Sequence, residues 1–479
     1  MIVKATMTVR NSDLVVPLAP QNTADATDMR TTDTAGQLKL FGQADVDIRS
    51  GAISPLIGRV ASPTSLRRGD VDSTNGPRTA PTTTTRGRRT STMATRTTTT
   101  RTTSCPSSSS ADENAARHAD FSFEDLVRAY IDCRRSKRTS RSAREFEINQ
   151  EVNLYQLYTE LKDGTYRPGR SICFVIKRPK PREVWAALFR DRIVHHLLYN
   201  KIAERFHKSF IADSCACIPG RGTLYAAERL EHKIRSITRN WTRSAFYLQC
   251  DLASFFVSIN KHVLRDLLAG RIREPWWLAL AEQILFHDPR QDVDLKVSAH
   301  DLSLIPPHKS LFNQPDHLGL PIGNLSSQFF ANIYLDALDQ HVKHRLRVRY
   351  YIRYVDDFIL LHESPRQLNA WLADIAAFLP RELGVRLNPA KTILQPVTRG
   401  VDFVGQIINP WHRIPRRRTV HAALRRIGNL PAERLVESAN SYFGQFRQST
   451  HSHGDRADLA NVMRRRGYDV DHRLTKAYR

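Results

Sequence analysis

Tyr350–Tyr351–Ile352–Arg353–Tyr354–Val355–Asp356–Asp357–Phe358–Ile359–Leu360–Leu361 sets two adjacent carboxylates between two apolar arms. Aromatic and β-branched arms favour extended backbone, so the stretch reads as a β-hairpin with Asp356 and Asp357 at its tip. Crowding two negative charges beside a buried face is costly unless a cation neutralises them. Mg²⁺ is the simplest candidate, because it takes one or two carboxylates together with substrate phosphates. Taken alone, the pair reads equally well as a solvated turn.

Upstream, Leu248–Gln249–Cys250–Asp251–Leu252–Ala253–Ser254–Phe255–Phe256 ends an apolar strand, Ala245–Cys250, at a third carboxylate. Alone, Asp251 reads as a helix N-cap. Beside a hairpin bearing two more acids it completes a candidate two-metal site. In such sites ions about 3.5–4 Å apart clamp the attacking and leaving oxygens of an in-line phosphoryl displacement.

Composition points the same way. The chain has 479 residues, room for two or three domains, with 72 Lys plus Arg against 48 Asp plus Glu and a net charge of +24. The first 115 residues carry +4 of that and the remainder +20. The excess therefore belongs to the folded part and implies a polyanionic partner, although a ribosomal or membrane-surface protein would show the same balance. Cys105, Cys133, Cys173, Cys215, Cys217 and Cys250 form neither a zinc-knuckle pattern nor a disulfide framework. No apolar run approaches the ~18 residues of a membrane span, and the N-terminus lacks a signal-peptide core. A cytoplasmic protein without a membrane partner is expected.

Thr82–Thr103 holds 13 Thr and 5 Arg in 22 residues. Such a segment buries too little apolar surface to offset its ordering entropy, so residues 1–115 are expected to be a disordered low-complexity extension. An over-long reading frame starting nearer Met93 would explain it as well. From about Ala116 the pattern turns globular. Helices are predicted over Phe121–Cys133, Arg190–Phe206, Ser326–Leu346 and Arg366–Leu379. Strands are predicted over Ser171–Lys177, Ala245–Cys250, Val385–Leu387 and Val401–Ile408. His195 and His196, about 100° apart on a helix, cannot share a metal and read as helix-surface residues. The fold class is α+β, helices around a small sheet that includes an antiparallel hairpin.

Asp-x-x-x-Phe-Phe, a Gly-containing loop before a helix, and Tyr-x-Asp-Asp resemble motifs A, B and C of reverse transcriptases, in that order, over residues 120–450. Lys180-Pro-Arg182 and Arg190-Asp191-Arg192 resemble the fingers motifs. Asn388-Pro-Ala-Lys391-Thr resembles motif D, and Val401-Asp-Phe403-Val-Gly405 the primer grip. Most reverse transcriptases carry Gln-Gly in motif B and close it with Ser-Pro. Here Leu320-Pro321-Ile322-Gly323-Asn324-Leu325-Ser326-Ser327-Gln328 is similar to the Ile-Gly-x-x-x-Ser-Gln form of diversity-generating retroelement reverse transcriptases.

The resemblance implies a right-hand polymerase fold, with fingers and palm over 116–415 and a short basic helical thumb over 416–479. It implies an RNA-directed DNA polymerase using two Mg²⁺, a template RNA, a DNA or RNA primer and deoxynucleoside triphosphates, with a small basic accessory protein. Asp251 and Asp356 would hold both ions, with the Leu252 carbonyl assisting and Asp357 tuning the site. Lys177, Lys180 and Arg182 would meet the triphosphate, or else be solvated charges. Gly323 and Gln328 would lie in the nucleotide-facing motif. Phe256 would be the steric gate against a ribose 2′-OH, with Phe255 in the core, and Lys391 would protonate the leaving pyrophosphate. Ile322 offers packing where Gln could hydrogen-bond the nascent nucleotide. One such bond is worth about 0.5–1.5 kcal/mol, up to roughly tenfold in discrimination, so error-prone copying is implied; the plainer reading is a repacked loop residue. The rival readings are a defence-associated reverse transcriptase and a maturase-like RNA-binding scaffold.

Overall fold

The structure, a computed structural model, describes residues 119–135, 140–177 and 180–479. The extension expected over 1–115 lies outside them. α1 (Phe123–Arg134) opens on a reciprocal cap in which Ser122 Oγ accepts the Asp125 N–H at 3.2 Å and the Asp125 carboxylate accepts the Ser122 N–H at 2.9 Å. α2 (Arg141–Glu147) and α3 (Gln150–Lys162) follow, then the antiparallel pair β1 (Ser171–Ile176) and β2 (Arg182–Ala187). α4 (Phe189–His207) buries Ile193, Val194, Leu197, Leu198, Ile202 and Phe206, the apolar face predicted for it. α5 (Thr223–Ile237) leads into β3 (Phe246–Asp251), and α6 (Lys261–Ala269) and α7 (Pro275–Phe286) pack together beyond it. β4 (Val293–Leu295) joins β1 in parallel and completes a three-stranded sheet.

α8 (Leu325–Gln340) is buried on nearly every side and packs on α4. β5 (Tyr350–Tyr354) and β6 (Asp357–His362) form the predicted hairpin; α9 (Pro365–Leu383) and β7 (Ile393–Pro396) follow. The resulting sheet has the order β5-β6-β3-β7. β8 (Val401–Phe403), β9 (Gln406–Asn409) and β10 (His412–Pro415) make a separate meander. α10 (Arg417–Asn429), α11 (Ala432–Phe446) and α12 (His453–Arg465) close the chain around their own core of Ile427, Leu435, Phe443, Phe446, Leu459 and Met463.

The four-stranded sheet is covered on both faces. Leu248, Cys250, Phe358 and Leu360 face the main core shared with α4, α8 and α9, while Tyr247, Ile352, Ile359 and Leu361 face a second core built by α5 and the meander. Double coverage is why these strands read as apolar runs rather than as alternating patterns. Beyond β5, the Arg353 N–H donates to the Asp213 carbonyl and the Cys215 N–H to the Arg353 carbonyl, each at 2.9 Å. Ser214 thereby lies in a parallel bridge with Arg353.

Several expectations are corrected. Val385–Leu387 is not a strand: Leu387 makes only an isolated bridge to Leu252, and the fourth strand is β7. Val401–Ile408 is two strands, because Val404 (φ +44°) and Gly405 (φ +86°) turn the chain between them. The helix after Ser326 relaxes at Gln340 into a π-turn, His341–Arg345.

His195 is buried rather than on the helix surface, its Nδ1 3.4 Å from Ser326 Oγ in α8. Burial, aided by the positive charges of His196 and Arg192, pulls its pKa down to about 3. The unfolded chain takes up this proton near pH 6.5 and the folded chain does not, so stability falls as pH drops below 6.5. From this residue alone, stability at pH 5 is expected to be about 2 kcal/mol lower than at pH 8. Urea midpoints at the two pH values, for wild type and His195→Gln, check it; an identical pH loss in the variant would remove His195 as the cause.

Candidate active site

Register puts the carboxylates together. β3 runs antiparallel to β6 with Asp251 opposite Asp357, and Tyr354 pairs with Asp357 across the hairpin, leaving Val355 and Asp356 as its two-residue turn. Val355 sits at φ +56°, where a β-branched side chain is strained. The Leu252 N–H donates to the Asp356 carbonyl at 3.3 Å and ties the turn to the end of β3. The N-cap reading of Asp251 does not hold, since Ser254 is the residue that precedes the short helix Phe255–Ser258.

Each acid has a defined neighbour. Lys391 Nζ lies 2.7 Å from both Asp251 oxygens, and Asn388 Nδ2 adds a 3.3 Å bond to one of them. Gln249 Nε2 donates to both Asp357 oxygens, at 3.1 and 3.3 Å, and to the Asp402 carbonyl of β8 at 3.2 Å. Burial raises the Asp356 pKa, and the Asp251 charge raises it further. Asp357 is pushed up to about 7 by burial, against the Gln249 hydrogen bond and with added repulsion from Asp356 and Asp251. A cation bound here would relieve the burial and the mutual repulsion that raise Asp356 and Asp357.

The donor set fits Mg²⁺. Among the described residues no group of three His, Cys, Asp or Glu side chains forms a cage for an ion. Mg²⁺ needs none, because it is commonly held by one or two carboxylates with phosphate and water oxygens making up the rest.

A cavity of about 840 Å³ opens over the acids. Lys180, Arg182, Phe256, Ile322, Gln328 and Lys391 line it together with Asp251, Leu252, Asp356 and Asp357. Phe256 is half-buried and meets the buried Phe255 edge-on at 5.4 Å, and both rings line the cavity. Gln328 Oε1 lies 3.5 Å from Cys217 Sγ, whose thiol burial holds protonated, with a pKa of about 11.

Two predicted residues fall elsewhere. Lys177 does not line the cavity; its ammonium pairs with Asp301 at 2.8 Å. Gly323 also lies outside the lining, at φ +130°, and a Cβ there would come within 2.8 Å of Val184 Cγ1 and 3.0 Å of the Trp185 carbonyl. Its part is to let the loop lie against β2, where the Trp185 N–H donates to the Ile322 carbonyl at 2.7 Å. Sequence reasoning missed Lys309, Arg416 and Arg418, which also line the cavity. Arg416 and Arg418 were visible only as part of a basic run, and Lys309 stands in a stretch without periodicity.

Residues 177–408 match the family described as "Reverse transcriptase (RNA-dependent DNA polymerase)". Just under half of the chain therefore resembles a reverse transcriptase domain. The matched region contains all three acids and every predicted cavity residue. Protein P of duck hepatitis B virus (strain Germany/DHBV-3) is 32% identical over 127 residues, 25% of this chain and 16% of that protein. The "Putative COX1/OXI3 intron 2 protein" of Saccharomyces cerevisiae is 21% identical over 285 residues, 48% of this chain and 31% of that protein. The chain thus spans under a third of either relative's length. Among solved structures, telomerase from Candida albicans with a TWJ fragment of telomeric RNA is 13% identical, with 62% of this chain and 55% of that one covered at a TM-score of 0.38. The matched region is followed by α10–α12, joined through Arg416, whose Nε donates to Asp402 at 2.7 Å. No helix among the described residues is long and apolar enough to cross a membrane.

Proposed function

We propose that the chain is an RNA-directed DNA polymerase that extends a primer on a template RNA with deoxynucleoside triphosphates. The observation that carries this is the convergence of Asp251, Asp356 and Asp357 on one cavity whose other walls bring Lys180, Arg182 and Phe256. Asp251 and Asp356 would hold two Mg²⁺, with Asp357 set by Gln249. Bound there, the ions would activate the primer hydroxyl and neutralise the leaving phosphate. Lys180 and Arg182 offer fixed positive charge to the triphosphate, whose negative charge they offset as the reaction proceeds. The Phe256 ring, which lines the same cavity as Asp251, is a bulky apolar surface that disfavours a 2′-OH. Lys391 must release Asp251 when a divalent ion binds, and its ammonium is then free for the pyrophosphate. The helices α10–α12, rich in Arg, suit a thumb that grips the template–primer backbone. Extension of a primer on an RNA template with Mg²⁺ tests the assignment.

The finer reading is an error-prone enzyme of the diversity-generating retroelement kind. It is supported by Ile322, which lines the cavity with an aliphatic side chain where an amide would offer hydrogen bonds. Ile322→Gln is expected to lower misincorporation opposite template adenine by up to roughly tenfold. Sequencing of cDNA from both proteins checks this, and an unchanged error spectrum would take Ile322 out of fidelity. The 48% of the chain matched by the intron protein keeps an RNA-binding scaffold as the second reading. RNA binding without extension in the wild type would favour it.

A further inference from the structure

We propose that Arg353 is the positioning residue of the acid-bearing turn: from inside the core its guanidinium holds the Val355 carbonyl and so fixes where Asp356 stands. The kinetic consequence rests on the polymerase reading above; the geometry does not.

Arg353 and its partner Asp339 in α8 are both fully buried. All five guanidinium N–H groups are used. Nε and Nη2 take the two Asp339 oxygens at 2.8 and 2.6 Å, and Nη2 also takes Ser214 Oγ at 3.0 Å. Nη1 takes Asn332 Oδ1 at 3.3 Å and the Val355 carbonyl at 3.0 Å. A buried ion pair is a poor source of stability compared with apolar residues of the same volume. Its placement accounts for it better. Val355 is held in the left-handed region that a β-branched residue avoids, and the bond from Nη1 is what opposes its return to ordinary backbone. Asn332, in α8 one turn beyond Gln328, also donates to the Ala216 carbonyl at 2.8 Å. The guanidinium therefore joins the turn to the helix of the nucleotide-facing motif and to the segment beside β5.

The test is a cycle of Arg353→Lys with Val355→Gly. Lysine keeps the charge but cannot reproduce the fork. In single-nucleotide extension on an RNA template, Arg353→Lys is expected to lower kcat by about 10–100-fold, leaving KM for the nucleotide and Kd for template–primer within about twofold. Glycine takes a positive φ without steric penalty. In the Val355→Gly background the same substitution should therefore cost less than about fivefold. A loss equal in both backgrounds, or a raised KM at unchanged kcat, would overturn the proposal. Hydrogen exchange of amides 355–357 is read alongside: Arg353→Lys should quicken it, and less so with Gly at 355. If wild type does not extend a primer, the polymerase reading fails and exchange alone decides the role of Arg353. If Arg353→Lys has no cooperative melt, the neutral pair Arg353→Gln with Asp339→Asn removes charge and contact together and is read the same way.

Discussion

Asp356→Ala is expected to lower Mg²⁺-dependent extension on an RNA template by roughly 10³-fold or more, while template–primer binding stays near wild type. A 10³-fold loss corresponds to about 4 kcal/mol of transition-state stabilisation, a reasonable figure for removing a carboxylate that orients a divalent ion. The electrostatics add a second signature. Asp356 is partly buried with Asp251 and Asp357 beside it, and burial together with the neighbouring charge raises its pKa. Removing one of three crowded acids relieves repulsion in the metal-free protein, so the variant's thermal midpoint should equal or exceed that of wild type without Mg²⁺. Added Mg²⁺ should then raise the midpoint of wild type more than that of the variant, by linkage. Equal extension by the two proteins would remove Asp356 from the chemistry. A lower midpoint in the absence of metal would show that the turn needs the carboxylate structurally.

Asp339→Ala carries the largest expected loss of stability, about 3–5 kcal/mol, because it strands a buried guanidinium. Both Asp339 oxygens accept from Arg353, and Oδ1 also accepts from the Tyr351 hydroxyl at 2.8 Å. Alanine thus leaves two donors of the guanidinium and one phenol without acceptors inside the core. Replacing both charges, as in Arg353→Met with Asp339→Leu, should be less destabilising than Asp339→Ala alone, since no ion is left unpaired. Guanidinium chloride unfolding of the three proteins checks the order. A single-variant loss below about 1 kcal/mol would mean that water reaches the site and hydrates the charge.

Where the chain repeats a short-range rule, its structure was legible. The hairpin follows from two β-favouring arms around a two-residue turn, and the strand ending at Asp251 from its apolar run. The apolar face of α4 follows from helical spacing. What escaped depends on contacts between segments distant in sequence. Val385–Leu387 has strand-like residues, but Leu387 only bridges Leu252, and β7 takes the place beside β3. His195 lies on an apolar face whose covering helix, α8, comes 130 residues later, so local periodicity could not bury it. Lys177 left the predicted cluster because Asp301, from a segment without motif, claims its charge. Lys309 entered the cavity for the opposite reason, carried there by a segment whose β4 adds to β1. The site acids were readable because their types and their order were informative; the cations were not, since a surface lysine and a phosphate ligand look alike in one dimension.

The segment Asp213–Cys215 has a consequence for how this molecule meets others. β5 is the outermost strand of its sheet and, apart from Arg353, carries only aromatic and aliphatic side chains, the kind of edge onto which a foreign strand adds. Around Arg353 its outward N–H and C=O are already spent on the chain's own Asp213 and Cys215. At the far edge β7 ends in Pro396, a residue with no N–H to offer. Both borders of this sheet are thus blunted at these positions against the addition of a foreign strand by backbone pairing.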